Sequence, residues 1–150
     1  MIKDEERWQN MFHYEAELYA QGIHLIAGID EAGRGPLAGP VTAAAVILPR
    51  DAYIPGLNDS KQLTPRRRAA LEIQIKEWAV SWFCADVSQE VIDQINILQA
   101  ARLAMVQAVA GLALQPEYLL TDATTIDTEL PQKPIIKGDT LSVSIAAASI

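Results

Sequence analysis

Two apolar runs separated by a glycine- and proline-rich bend constrain this chain more than any other feature. Residues 24–30 (HLIAGID) have the composition of a buried strand, yet they end on a carboxylate, Asp30, with Glu31 directly behind it. Residues 33–40 (GRGPLAGP) cannot continue a strand or open a helix, and residues 41–48 (VTAAAVIL) form a second apolar run closed by Pro49. Two strands joined by such a bend read as an antiparallel pair. A buried strand that ends in two acids must deliver them to a rim, a partner or a cation, because an unpaired buried carboxylate is very costly.

The rest of the chain alternates helix and strand. Residues 3–21 read as one amphipathic helix, with Trp8, Met11, Phe12, Leu18 and Tyr19 near helical spacing and Gly22 as its stop. Thr64 followed by Pro65 marks a helix start, and Leu71, Ile75 and Trp78 give that helix its apolar face. Residues 80–87 have strand composition, Ser88 is placed to cap a short helix, and residues 93–112 give the strongest helical pattern in the chain. Residues 118–122 (YLLTD) form a short strand that again ends in an acid, residues 134–137 (PIIK) suggest another, and residues 141–150 begin a last helix that carries no stop signal. With an antiparallel first pair, this order predicts an α/β fold built on a mixed sheet rather than a fully parallel one.

At 150 residues and 50% apolar content the chain suits one domain with a sizeable core. Lys and Arg number 12 against 19 Asp and Glu, a net charge of −7, which excludes a protein that coats nucleic acid over its whole surface. It does not exclude a nucleic-acid enzyme, since an acidic metal centre contributes negative charge of its own. Cys84 stands alone, so no disulfide can form within the chain, and its apolar neighbours predict a buried, inert thiol. The longest apolar stretch is too short to span a bilayer and the charged N-terminus is no signal peptide, so a cytoplasmic protein with no membrane partner is expected. His13 and His24 have no partner at ligand spacing.

The chemistry therefore rests on carboxylates. Asp30, Glu31 and Asp122 end strands, and Asp139 follows Lys137-Gly138 just before the last helix. The carboxyl ends of strands are where α/β sheets form their clefts. Acids gathered there repel one another, and a divalent cation with a preference for oxygen relieves that repulsion without any His or Cys. Two such ions about 4 Å apart suit phosphodiester hydrolysis. Acids at strand ends also serve as turn residues, helix caps and ion-pair partners, and the spacing alone leaves both readings open.

The segment from Gly33 to Gly39 is no dinucleotide fingerprint, because Pro36 and the strand-like run after it deny the helix N-terminus that a pyrophosphate requires. Gly33, Arg34 and Gly35 suit a backbone clamp instead: the glycines let N–H groups approach a sugar-phosphate closely, and the arginine binds a phosphate oxygen. Otherwise they form a tight loop with a solvated arginine. Lys61, Arg66, Arg67 and Arg68 are the main basic cluster, with Lys133 and Lys137 near Asp139. Three arginines at a helix start oppose the helix dipole, which suggests phosphate contact, although such runs are usually solvated.

The run from Gly28 to Val41 (GIDEAGRGPLAGPV) resembles the opening signature of the bacterial ribonuclease HII family. Three further blocks fall in the family's order: Leu57-Asn58-Asp59-Ser60-Lys61 with Leu63, then Asn96-Ile97, then Lys137-Gly138-Asp139 with Ser142 and residues 144–150 (SIAAASI). The resemblance implies a ribonuclease H-like mixed five-stranded sheet flanked by helices. It implies hydrolysis of the RNA strand of RNA–DNA hybrids, and cleavage on the 5′ side of ribonucleotides embedded in duplex DNA, with two Mg2+ or Mn2+ ions. The family's four catalytic and metal-binding carboxylates carry over to Asp30, Glu31, Asp122 and Asp139. Its glycine–arginine–glycine clamp, which reads the ribose 2′-hydroxyl, carries over to Gly33, Arg34 and Gly35, and Lys61 is a phosphate contact by the same likeness.

Two departures accompany the likeness. Ala123 stands where many bacterial members have glycine, and the part of the family that carries a sugar-packing tyrosine has no counterpart here, Tyr118 being no match for it. The chain is accordingly expected to be the catalytic-site half of such an enzyme, C-terminally truncated, with residues 1–22 as a linker helix and 23–150 as the catalytic domain. The full-length enzyme is expected to be a monomer.

Overall fold

The computed structural model describes residues 4–32, 40–57, 63–122 and 124–135, together with Gly138, Ile145 and Ala148. Among these residues the elements that follow one another are helices α1 (Asp4–Met11) and α2 (His13–Ala20), strands β1 (Ile26–Ala32) and β2 (Val41–Ile47), helix α3 (Pro65–Trp78), strand β3 (Ser81–Val87), helices α4 (Gln89–Ile95) and α5 (Ile97–Ala110), and strands β4 (Tyr118–Asp122) and β5 (Gln132–Ile135). The strands form one five-stranded sheet in the order β3-β2-β1-β4-β5. β1 and β3 both run antiparallel to β2, whereas β4 is parallel to β1 and to β5. The expected mixed sheet is therefore present, with β1 at its centre.

Burial explains why β1 reads as a continuous apolar run rather than an alternating one. Ile26 to Asp30 are all buried, since both faces of the central strand are covered. On one face Ala27, Ile29, Ala43, Ala45 and Leu119 pack with Ala100, Ala104, Met105 and Ala108 of α5. Alanines on both the helix and β2 let that helix sit close to the sheet, and Met105 and Val109 fill what remains. On the other face Trp8 and Met11 of α1 join Val46, Leu48, Ile54, Leu71 and Ile75, while Leu18 and Tyr19 of α2 join Ile26, Leu120, Ile135 and Ile145. The N-terminal helices thus share the core of the sheet, and the Tyr19 hydroxyl donates to the Leu48 carbonyl at 3.3 Å.

Three expectations change. The single helix over residues 3–21 is two helices, broken at Phe12, which lets α1 and α2 reach two different apolar clusters. The helix over residues 93–112 is likewise interrupted at Asn96, whose φ of +82° no helix accepts. Asn96 instead ends α4 and caps α5, its side chain accepting the Gln99 N–H at 3.0 Å. Cys84 is exposed rather than buried, because β3 is an edge strand whose outer face is incompletely covered. Partial desolvation still pushes its thiol pKa up, so it gains no nucleophilic activation. The Thr64 and Ser88 caps are both formed, through the N–H groups of Arg67 and Val91.

Candidate active site

The register of the two central parallel strands determines where the acids go. Glu117, just ahead of β4, accepts the N–H groups of both His24 and Leu25 on Oε1, at 2.9 and 3.0 Å. Its own N–H donates to the Leu25 carbonyl at 2.7 Å. The two bonds accepted by the carboxylate hold it below its usual pKa, and all three lock the two segments together at the start of the strands. From there Ile26 pairs with Tyr118, Ala27 with Leu119, Gly28 with Leu120 and Ile29 with Thr121. The next step along both strands brings Asp30 beside Asp122. Paired residues of a parallel ladder share a face, so both carboxylates lie on the side of the sheet carrying Ile26 and Leu120.

The strand-end acids that the sequence singles out, Asp30, Glu31 and Asp122, all stand at the carboxyl ends of these strands. Asp30 is only 7% exposed. Its Oδ1 accepts the Glu31 N–H at 2.8 Å, a local bond that turns the carboxylate back toward its own strand end. Glu31 is partly buried and alternates to the opposite face of β1. Asp122 also pairs across β4 and β5 with Ile135, and its Oδ1 accepts the N–H of Gly138 at 3.0 Å. Thr121, which alternates to the face opposite Leu120 and Asp122, is fully buried and donates its hydroxyl to the Thr124 carbonyl.

Gly138 is the residue that sequence reasoning misses. It belongs to the Lys137-Gly138-Asp139 block, but nothing in spacing says which way a backbone N–H will point. Asp139, Gly33, Arg34, Gly35 and Lys61 lie outside the described residues. Among the described residues no three His, Cys, Asp or Glu side chains are grouped to hold an ion. Two aspartates on adjacent strand ends nonetheless make a hard, anionic donor pair, which fits Mg2+ or Mn2+ and does not fit a metal that prefers nitrogen or sulfur. The basic residues Arg66, Arg67 and Arg68 are exposed on the first turns of α3.

Residues 27–150 match the family model for ribonuclease HII. The chain is 61% identical over 145 residues to a ribonuclease HII of Geobacillus thermodenitrificans, covering 97% of this chain and 56% of that protein. It is 53% identical over 151 residues to one from Syntrophomonas wolfei, covering all of this chain and 59% of the relative. The chain thus spans a little over half the length of the curated relatives it matches. Among solved structures, ribonuclease H2 from Pyrococcus horikoshii superposes with a TM-score of 0.72 at 26% identity, over 83% of this chain and 68% of that one. A ribonuclease HIII solved in complex with Mn2+ shares the fold, with a TM-score of 0.63 at 22% identity over 84% of this chain and 49% of the other.

Proposed function

The chain belongs to the ribonuclease HII family, and from that premise we propose that it carries the metal-dependent catalytic centre of an endonuclease acting on RNA–DNA hybrids and on ribonucleotides embedded in duplex DNA. The observation that supports the reading is the β1–β4 register, which ends on Ile29 with Thr121 and so carries Asp30 and Asp122 toward adjacent strand ends. Asp30, Glu31, Asp122 and Asp139 are the proposed ligand set. When bound, two Mg2+ or Mn2+ ions would activate a water and stabilise the leaving oxygen of the scissile phosphodiester. The Mn2+ complex of the related ribonuclease HIII supports that choice of ion.

The chain's own residues would do the rest. Asp30 and Asp122 hold negative charge at one spot on the rim of the sheet, and the core beneath them fixes their separation. Gly33, Arg34 and Gly35 follow Glu31 with only Ala32 between, so a clamp on the ribose 2′-hydroxyl and its phosphate would sit within reach of the strand-end acids. Lys61 would contact a neighbouring phosphate. Cleavage on the 5′ side of the ribonucleotide is the proposed outcome, in the cytoplasm, by a monomeric full-length enzyme. No helix among the described residues is long and apolar enough to cross a membrane.

A second reading is favoured by length alone. Because the chain spans 56% of its Geobacillus thermodenitrificans relative, it stands equally as a catalytically incomplete part of such an enzyme that binds metal or nucleic acid weakly. One experiment separates the two: a labelled duplex with a single internal ribonucleotide, incubated with this chain in Mg2+ and then Mn2+. Metal-dependent cleavage 5′ of the ribonucleotide, reduced by about 10²–10³-fold in Asp30→Asn, supports the endonuclease. Metal-induced thermal stabilisation without cleavage supports the incomplete form. Equal cleavage of an all-DNA duplex would refute specificity for ribonucleotides.

A further inference from the structure

We propose that Gly138 is a positioning residue for the Asp122 carboxylate, fixing it through its backbone N–H and through its lack of a side chain; its consequence for metal binding rests on the reading of the site given above. The N–H donates to Asp122 Oδ1 at 3.0 Å across sixteen residues of sequence. With Oδ1 accepting that N–H, Oδ2 would be the less encumbered donor toward a cation. Carboxylate torsions are broad and roughly two-fold, so an unanchored aspartate turns freely. Asp30 stands beside it, and repulsion between the two charges favours turning away. The Gly138 N–H holds the group against that tendency.

The contact also depends on residue 138 having no side chain. A Cβ there would lie 2.5 Å from Ile145 Cδ1, 3.4 Å from Ile135 Cβ and 3.5 Å from the Cα of Asp122. The latter two are ordinary or slightly tight contacts, so the conflict falls on Ile145. Ile145 is fully buried among Leu18, Tyr19, Ile26, Leu120 and Ile135, and its methyl has little room to swing. An alanine at 138 must therefore shift either Ile145 or its own backbone, and a backbone shift lengthens the bond to Asp122.

The test uses the 150-residue chain, labelled with 15N, as wild type, Asp122→Ala, Gly138→Ala and the double variant Gly138→Ala/Ile145→Val, in which valine has no Cδ1. In wild type the Gly138 amide proton should resonate downfield, and Asp122→Ala should move it upfield. Mn2+ affinity, read from the free-ion EPR signal, should fall about tenfold or more in Gly138→Ala, as expected when a partner of a metal ligand is disturbed. The double variant should recover most of that loss. An amide indifferent to Asp122→Ala overturns the proposal, and so does a Gly138→Ala chain that binds Mn2+ like wild type while melting earlier. If the amide responds but wild type binds no Mn2+, the anchoring of Asp122 stands and the metal-centre reading fails. Should Gly138→Ala not fold, the wild-type and Asp122→Ala amides still decide.

Discussion

Asp30 sits one step beyond the last registered pair of β1 and β4, Ile29 with Thr121, and so stands beside Asp122. Holding two like charges at one sheet end costs stability in the absence of a cation. Asp30→Asn and Asp122→Asn should therefore melt at the wild-type temperature or slightly above it in chelator. In Mg2+ or Mn2+ the wild type should gain stability, by about 2.7 kcal/mol at a hundredfold excess over the dissociation constant. Both variants should lose most of that gain. Cleavage by either variant should drop by about 10²–10³-fold, the usual effect of removing one electrostatic interaction from a transition state. Thermal melts with and without metal, beside the cleavage assay, check all three outcomes.

Glu117 sets that register from the far end of the strands, through its bonds to the His24 and Leu25 N–H groups. Its carboxyl is held below the ordinary value of 4.5 chiefly by these backbone bonds. A depressed carboxyl stabilises the fold above its unfolded pKa, and that stability is lost as pH falls through the folded value. Wild type should therefore lose stability on acidification below about pH 4.5 more steeply than Glu117→Gln, which cannot ionise. Urea midpoints at pH 7, 5 and 3 read the difference, and parallel curves for the two proteins would remove Glu117 from this role.

Tyr19 fastens α2 to the end of β2 through its bond to the Leu48 carbonyl. Desolvation, then the charge of Glu15, raises its pKa from 10.0 to about 12. A raised pKa contributes stability that is intact below 10 and is lost as pH climbs toward the folded value. The wild type should weaken progressively between pH 10 and pH 12, and Tyr19→Phe should lack that component. At pH 7 the same substitution should cost about 1 kcal/mol for the missing hydrogen bond. Denaturant titrations at neutral and alkaline pH separate these effects.

The sheet was legible from the sequence where burial alone dictates composition. β4 begins and ends where its apolar run does, and the Gly/Pro bend after Glu31 foretold the antiparallel β1–β2 pair. What stayed hidden depends on neighbours distant in sequence. The break at Phe12 exists because α1 and α2 serve separate apolar clusters, which one continuous periodic pattern cannot reveal. Cys84 has the local composition of a core strand, but its exposure follows from β3 being an edge, a property of the whole sheet. Asp30 and Asp122 could be named as strand-end acids. Their adjacency came only with the register, and the donor to Asp122 is a backbone group that carries no sequence signal beyond being glycine.

Asn96 holds φ of +82° and ψ of 166°, a region nearly reserved for glycine, while its side chain caps α5. Two effects therefore compete on substitution. Asn96→Gly loses the cap but relieves the backbone, so it should cost only a few tenths of a kcal/mol or stabilise. Asn96→Ala loses the cap and keeps the strain, and should cost about 1–2 kcal/mol. Chemical denaturation of the two variants gives the order directly, and an alanine variant as stable as the glycine one would refute the strain.

Arg66, Arg67 and Arg68 lie exposed on the first turns of α3, against the sense of the helix dipole. Arg67 also lines an open cavity with Arg7 of α1, so positive charge from two helices meets on one surface of a chain whose net charge is −7. If this surface meets the sugar-phosphate backbone, Arg66→Glu/Arg68→Glu should weaken binding of an RNA–DNA hybrid uniformly across sequences. It should also lower the slope of log K against log salt by about one for each phosphate no longer neutralised. The Mn2+-induced shift in melting temperature should stay as in wild type, since α3 supplies no carboxylate to the proposed ligand set. Binding isotherms across a series of salt concentrations supply the slope. An unchanged slope would make these arginines solvated surface charge.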